Sequence, residues 1–204
     1  MPEPYWKDSE WNSAKQQQNL KLSSDDGTKQ VDATLYRQLV GSLLYLTTTR
    51  PDLAYFVSVL SQFMSKPLES HWIGAKYVLR YLSGTCNYGI LYTDISDVTL
   101  AGYSDSDWAS NLDDRRSIAC YAFSIRSGVI SWSSKKQSTV ALSSCEAEYQ
   151  ALCAATCEAI WLRRLLSDAG EGQKEATSIK TDNQSTIKLA YNPVFHKNTK
   201  HIDT

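Results

Sequence analysis

Three carboxylates in the second half of the chain stand where they can act together. Asp105 closes the run VTLAGYSD and Asp182 follows TSIKT, two stretches whose β-branched and aromatic content reads as strand. Acids placed where adjacent strands finish can converge on one point, which is how oxygen-ligand sites for Mg²⁺ are built. A third donor must come from the helix beginning at SSCEAEY, which offers Glu146 and Glu148. At about 100° per residue, Glu148 shares a line with Leu152, Ala155, Ala159, Leu162 and Leu166, the seam that must face the sheet. Glu146 is turned about 160° away, onto the outer side. It stands three residues after Ser143, where a capping box uses its carboxylate. A carboxylate in the first turn of a buried face is costly unless a cation or hydrogen bonds compensate. Glu148 is therefore the third candidate ligand. Three acids so arranged suit a site for Mg²⁺ or Mn²⁺ and phosphodiester hydrolysis with two metals about 4 Å apart. Singly, each has an ordinary use, since Asp is common in turns and Asp182 can cap a helix starting at Asn183.

The elements that must hold these groups follow from periodicity. YGILYT (88–93), VTLAGYSD (98–105), SIACYAFSI (117–125) and VISWSS (129–134) read as short strands of an antiparallel meander, separated by NLDDRR and RSG. A long helix over about 143–169, a strand over 177–181 and a short helix from about Asn183 complete an α/β sheet with packed helices. The preceding part is helical. Leu35, Leu39, Leu43 and Leu46 recur at helical spacing behind a cap at Asp32 or Thr34. Pro51 suits the first turn of a second helix, and a third runs from about Glu69 to the Ser83–Gly84 stop. None of these stripes gathers ionisable groups, so this part reads as scaffold. Residues 1–31 have the composition of a disordered or loosely docked terminus.

Length and charge narrow the classes further. The 204 residues are 42% hydrophobic and 21% charged, with 21 basic and 22 acidic side chains. That excludes a disordered chain and a global basic field for nucleic acid. No apolar run approaches the roughly 18–20 residues that span a bilayer. No signal-peptide core opens the chain, and five cysteines without a CxxC fit reduced thiols in an intracellular, cytoplasmic or nuclear setting. Locally, Lys135 and Lys136 behind Trp132 form a basic-aromatic cluster able to contact a nucleic-acid backbone, or simply a solvated strand end. Arg115 and Arg116 beside Asp113 and Asp114 read as a charged turn with local pairing.

From about Asn19 onward the chain resembles the end of a copia-type LTR-retrotransposon polyprotein. The motifs are YRQLVGSLLYLTTTRPDLAY, AKYVLRYLSGT, GYSDSDWAS, DDRRS, SWSSKKQSTVALSSCEAEYQAL, EAIWLRRLL, TDNQSTIKLA and NPVFHKNTKHID, in the family's order. The resemblance implies a helical connection segment over 32–87 and a ribonuclease H-like mixed sheet with packed helices over 88–204. The implied reaction is metal-dependent hydrolysis of RNA in RNA–DNA hybrids. The family's metal-binding acids fall on Asp105, Glu148 and Asp182, and His196, Lys200 and His201 match positions suited to substrate contact. No YxDD stretch occurs, so polymerase activity is excluded. The family continues past HID with a further strand and helix carrying a fourth acid. The expectation is therefore a fold lacking its last strand and helix, a weakly held second metal, and turnover that is weak or lost. The alternative expectation is a domesticated, non-catalytic module binding nucleic acid or a host protein through exposed apolar surface. No membrane partner is expected.

Overall fold

The computed structural model describes residues 22–93, 98–125 and 128–192. The first half builds helix α1 (Ala33–Leu46), a 3₁₀ turn over Pro51–Leu53, α2 (Ala54–Ser61) and α3 (Glu69–Gly84). Asp32 caps α1, accepting from the amides of Thr34 and Leu35. The buried stripe of α1 is Tyr36, Val40 and Leu43, with Leu39 and Leu46 partly covered, whereas Leu35 is 55% exposed. The leucine repeat thus points about one residue off the true core line. Tyr36 draws the helix round, since its hydroxyl donates to the Leu60 carbonyl from inside the core. Val57, Leu60, Ala75 and Val78 close this first cluster.

The described part of the N-terminal stretch is docked rather than loose. Val31 N donates to Pro67 O and Glu69 N to Lys29 O. The fully buried His71 accepts from Leu68 N and donates to Ser23 O. Ser23 and Ser24 in turn donate to Asp113, in the loop after the first strand.

The second half is a four-stranded mixed sheet in the order β3-β2-β1-β4. Its strands are β1 (Leu100–Asp107), β2 (Ile118–Ile125), β3 (Gly128–Lys136) and β4 (Ser178–Lys180). β1 runs antiparallel to β2 and parallel to β4. One sheet face packs on α4 (Ser144–Asp168), where Leu100, Phe123, Ala155, Ala159 and Leu162 form a second core cluster. Gly102 is required beneath Phe123, because a Cβ there would overlap the ring. Helix α5 (Gln184–Tyr191) follows β4. With five helices and four strands among the described residues, this mixed α/β architecture is compatible with a ribonuclease H-like fold.

Residues 88–93, read as a strand from sequence, pair with none. Tyr92 explains their aromatic content: its hydroxyl donates to Val129 O, and its ring lies so close to Gly128 that a Cβ would collide with it. Tyr92 thus rests on the start of β3 without joining the ladder, while Tyr88 and Leu91 stand exposed. β1 also begins two residues later than read and ends at Asp107, so Asp105 lies inside the strand, opposite Cys120.

The two halves meet across the sheet face opposite α4. Trp132 Nε1 donates to Thr47 O at 2.9 Å, and the Tyr55 hydroxyl donates to Asp107 Oδ2 at 2.8 Å. Gln62 accepts from Asn111 and Lys136.

Candidate metal centre

Each of the three acids is delivered by a different element. Asp105 projects from the centre-right of the sheet on β1, with its Oδ1 accepting from Ser106 N at 2.8 Å. Glu148 comes from the first turns of α4, which Ser143 caps by accepting from Glu146 N. Asp182 stands two residues beyond β4, and it is Asn183 that caps α5, through the amides of Ser185 and Thr186. Asp182 is therefore not consumed as a cap.

Several contacts set the relative positions of these elements. Gln173 clamps the start of β1, accepting from Leu100 N and donating to Val98 O. Arg163 of α4 donates to Gln173 O, Glu175 O and Thr177 Oγ1, which fixes the approach to β4. Thr186 Oγ1 donates to Cys145 O and so ties α5 to the start of α4. The outcome is that one oxygen of each of Asp105, Glu148 and Asp182 lies within 4.8 Å of the others.

Glu148 is the anomalous member. Its side is buried, with the residue 6% exposed, and Oε1 accepts a long bond of 3.3 Å from Ser106 N. Among the described residues Oε2 has no hydrogen-bond partner. Burial, reinforced by the charges of Asp105 and Asp182, pushes this carboxyl up to about 7, against a lowering by the Ser106 amide. An orphaned, buried carboxylate oxygen facing two more carboxylates is a place where a cation restores what folding removed. The donor set is all oxygen, which matches hard divalent ions such as Mg²⁺ or Mn²⁺. The cluster can hold a metal ion.

Glu146 departs from expectation in one respect. It serves the helix start, with Oε2 accepting from Leu142 N at 2.8 Å, but it is buried and not on an outer face. Gln150 Nε2 donates to its other oxygen, Oε1, at 3.4 Å.

The basic-aromatic cluster is divided. Lys136 is held by Asp114 at 2.6 Å and by Gln62, and Trp132 anchors the sheet to the helical half. Lys135 points outward, exposed. Arg116 faces Asp114 at 3.7 Å, giving the charged turn its local pairing. His196, Lys200 and His201 lie outside the described residues.

Sequence reading overlooked Asp107. It shares the sheet face of Asp105 by the two-residue period of a strand, is held by Tyr55 and by the amide of Ile118, and is raised by burial above the ordinary carboxylate range. The alternation in YSDSDW contains that signal, but the partner Tyr55 lies far away in sequence.

No family model matches the chain, and no solved structure matches it. Among curated proteins, the retrovirus-related Pol polyprotein from transposon RE1 of Arabidopsis thaliana is 46% identical over 182 residues, 89% of this chain and 12% of that protein. The Pol polyprotein from transposon TNT 1-94 of Nicotiana tabacum is 45% identical over 169 residues, 82% of this chain and 13% of that protein. Secreted RxLR effector protein 161 of Plasmopara viticola is 53% identical over 128 residues, 62% of this chain and 90% of its own length. The chain therefore spans only 12–13% of the polyproteins it matches. Between 82% and 89% of its own length is nonetheless similar, at close to half identity, to one segment of the retrovirus-related Pol polyproteins of transposons.

Proposed function

We propose that this segment is a ribonuclease H-like protein whose reaction is metal-dependent hydrolysis of the RNA strand of RNA–DNA hybrids. The observation that carries this reading is the meeting of Asp105, Glu148 and Asp182 oxygens around the unpartnered Glu148 Oε2, on a sheet compatible with that fold. Asp105, Glu148 and Asp182 would hold Mg²⁺ or Mn²⁺. When bound, such ions supply activation of water and stabilisation of the leaving oxygen. The protein's part is positional. The Ser106 amide orients the Asp105 and Glu148 carboxylates together, and the Asn183 cap leaves Asp182 unencumbered. Lys135, and His196, Lys200 and His201 beyond the described residues, are proposed to contact the nucleic acid.

The direct test is purified protein on an end-labelled hybrid with Mg²⁺ or Mn²⁺, beside Asp105→Asn and Glu148→Gln. Cleavage confined to the RNA strand, and reduced at least about a hundred-fold by either substitution, supports the reading. Cleavage by both variants at the wild-type rate would refute it.

A second reading, a non-catalytic binding module, is favoured by the outer side of α4, where Ile160, Trp161 and Leu165 stand exposed together. It predicts a stable complex with a protein partner that Trp161→Ala weakens, without any cleavage of the hybrid.

A further inference from the structure

The sheet face that carries Asp105 is organised in rows. Register across the strands places Trp132, Ala122, Tyr103 and Lys180 side by side in one row, and Ser134, Cys120 and Asp105 in the next. Asp182 follows Lys180 by two residues, as Asp105 follows Tyr103. An aromatic ring and an ammonium thus stand one strand repeat, about 7 Å, behind Asp105 and on its side of the sheet, with the ammonium two residues before Asp182 in the chain.

The row is treated unequally by the rest of the molecule. At its β3 end, Trp132 is taken up by Thr47 of the helical half. At its β1–β4 end, Tyr103 is 50% exposed and Lys180 is exposed. The Lys180 ammonium lies 5.4 Å from the Tyr103 ring centroid, and among the described residues it forms no ion pair. A surface cation–π pair of this kind holds two flexible side chains together at little gain, about 0.5–1 kcal/mol. That leaves the charge available. Lys136, by contrast, is neutralised by Asp114.

We propose that Tyr103 and Lys180 form a contact for a nucleic-acid strand, with the ammonium pairing to the phosphate next to the one at the acidic site and the ring stacking on the adjoining sugar or base. The inference rests on the reading of the acidic site given above and adds the residues that would align a strand with it. The chemistry fits on both sides. Three carboxylates repel a polyanion, so a strand reaching them needs a cation beside the metal. A half-exposed ring gives stacking that tolerates any base. The repeat between the two rows is comparable with the separation of successive phosphates along one strand.

The test uses the full chain and a fluorescent RNA–DNA hybrid, with Ca²⁺ replacing Mg²⁺, and measures Kd across a salt series. Mn²⁺ binding by electron paramagnetic resonance is followed in parallel. Lys180→Gln should reduce the slope of log K against log salt by about one and weaken binding several-fold. Tyr103→Ala should weaken binding about ten-fold and Tyr103→Phe should retain it, since stacking needs the ring and not the hydroxyl. Mn²⁺ binding should be unchanged in all three. If wild type binds Mn²⁺ and hybrid, but neither Lys180→Gln nor Tyr103→Ala shifts Kd or slope, the strand contact is wrong and the metal site stands. If wild type binds no Mn²⁺, the reading of the acidic site fails, and the strand contact fails with it. Weakening of a DNA duplex and the hybrid alike supports a backbone contact; weakening of neither, with folding intact by circular dichroism, overturns it.

Discussion

Glu148 is where the cost of the site is concentrated. An unfolded glutamate titrates near 4.5, whereas here burial and the two neighbouring acids raise it to about 7. Between those values the folded protein binds more protons than the unfolded chain, so stability is full below about 4.5 and falls as pH rises through about 7. Glu148→Gln removes the ionisation while keeping the shape. Urea denaturation of the metal-free proteins at pH 5 and pH 8 should therefore show the variant gaining on wild type at the higher pH, by roughly 1–3 kcal/mol. Added Mn²⁺ should close the gap by stabilising wild type alone. Parallel stability curves for the two proteins would show that ionising this buried carboxyl does not oppose folding.

Between residue and molecule, the elements show which signals a sequence carries. Caps and periodicity were legible: α4 begins after Ser143 and α5 after Asn183, where polar side chains accept the first free amides. The seam of α4 also placed Glu148 correctly, since helical geometry is local. Three things were not legible. The core line of α1 depends on the Tyr36 hydroxyl reaching Leu60, a contact between helices. Residues 88–93 have strand composition, yet the contact shown for them at the sheet is that of Tyr92 with Gly128 and Val129. The burial of Glu146 is not given by its angle on the helix, which turns it away from the seam. Convergence of the three acids required the order of strands as well, and here the family resemblance supplied what spacing alone left open. The capping assignment has its own test. Asn183→Ala should cost about 1 kcal/mol by thermal or urea unfolding. It should also weaken Mn²⁺ binding, because Asp182 then competes for the amides that Asn183 has released. Loss of stability with unchanged Mn²⁺ affinity would separate the cap from the site.

At the scale of the molecule, the helical half and the sheet are joined by few but specific bonds, and one of them ends beside the acids. Tyr55 donates to Asp107, which is half-buried, raised above the ordinary carboxylate range and two residues from Asp105. Tyr55→Phe leaves Asp107 Oδ2 short of that donor at little change in volume. The expected cost is about 1–3 kcal/mol in chemical denaturation. If the helices act only as a scaffold for themselves, the loss stays in overall stability. If they brace the edge of the acidic site, Mn²⁺ affinity falls too, and calorimetric titration of the variant distinguishes the two.

The three-residue β4 has a consequence for time as well as shape. So short a ladder is held by few bonds, and among the described residues it sits at the sheet edge, where local opening is least costly. Asp182 hangs from its end. In the free protein, Asp182 should come and go with the opening of that edge while Asp105 and Glu148 persist, so that the site spends part of its life as a pair. A divalent ion that demands all three would then act as a latch on the last strand. Amide exchange at Ser178–Lys180 should be the fastest of the four strands, and Mn²⁺ should slow it more than it slows β2 or β3.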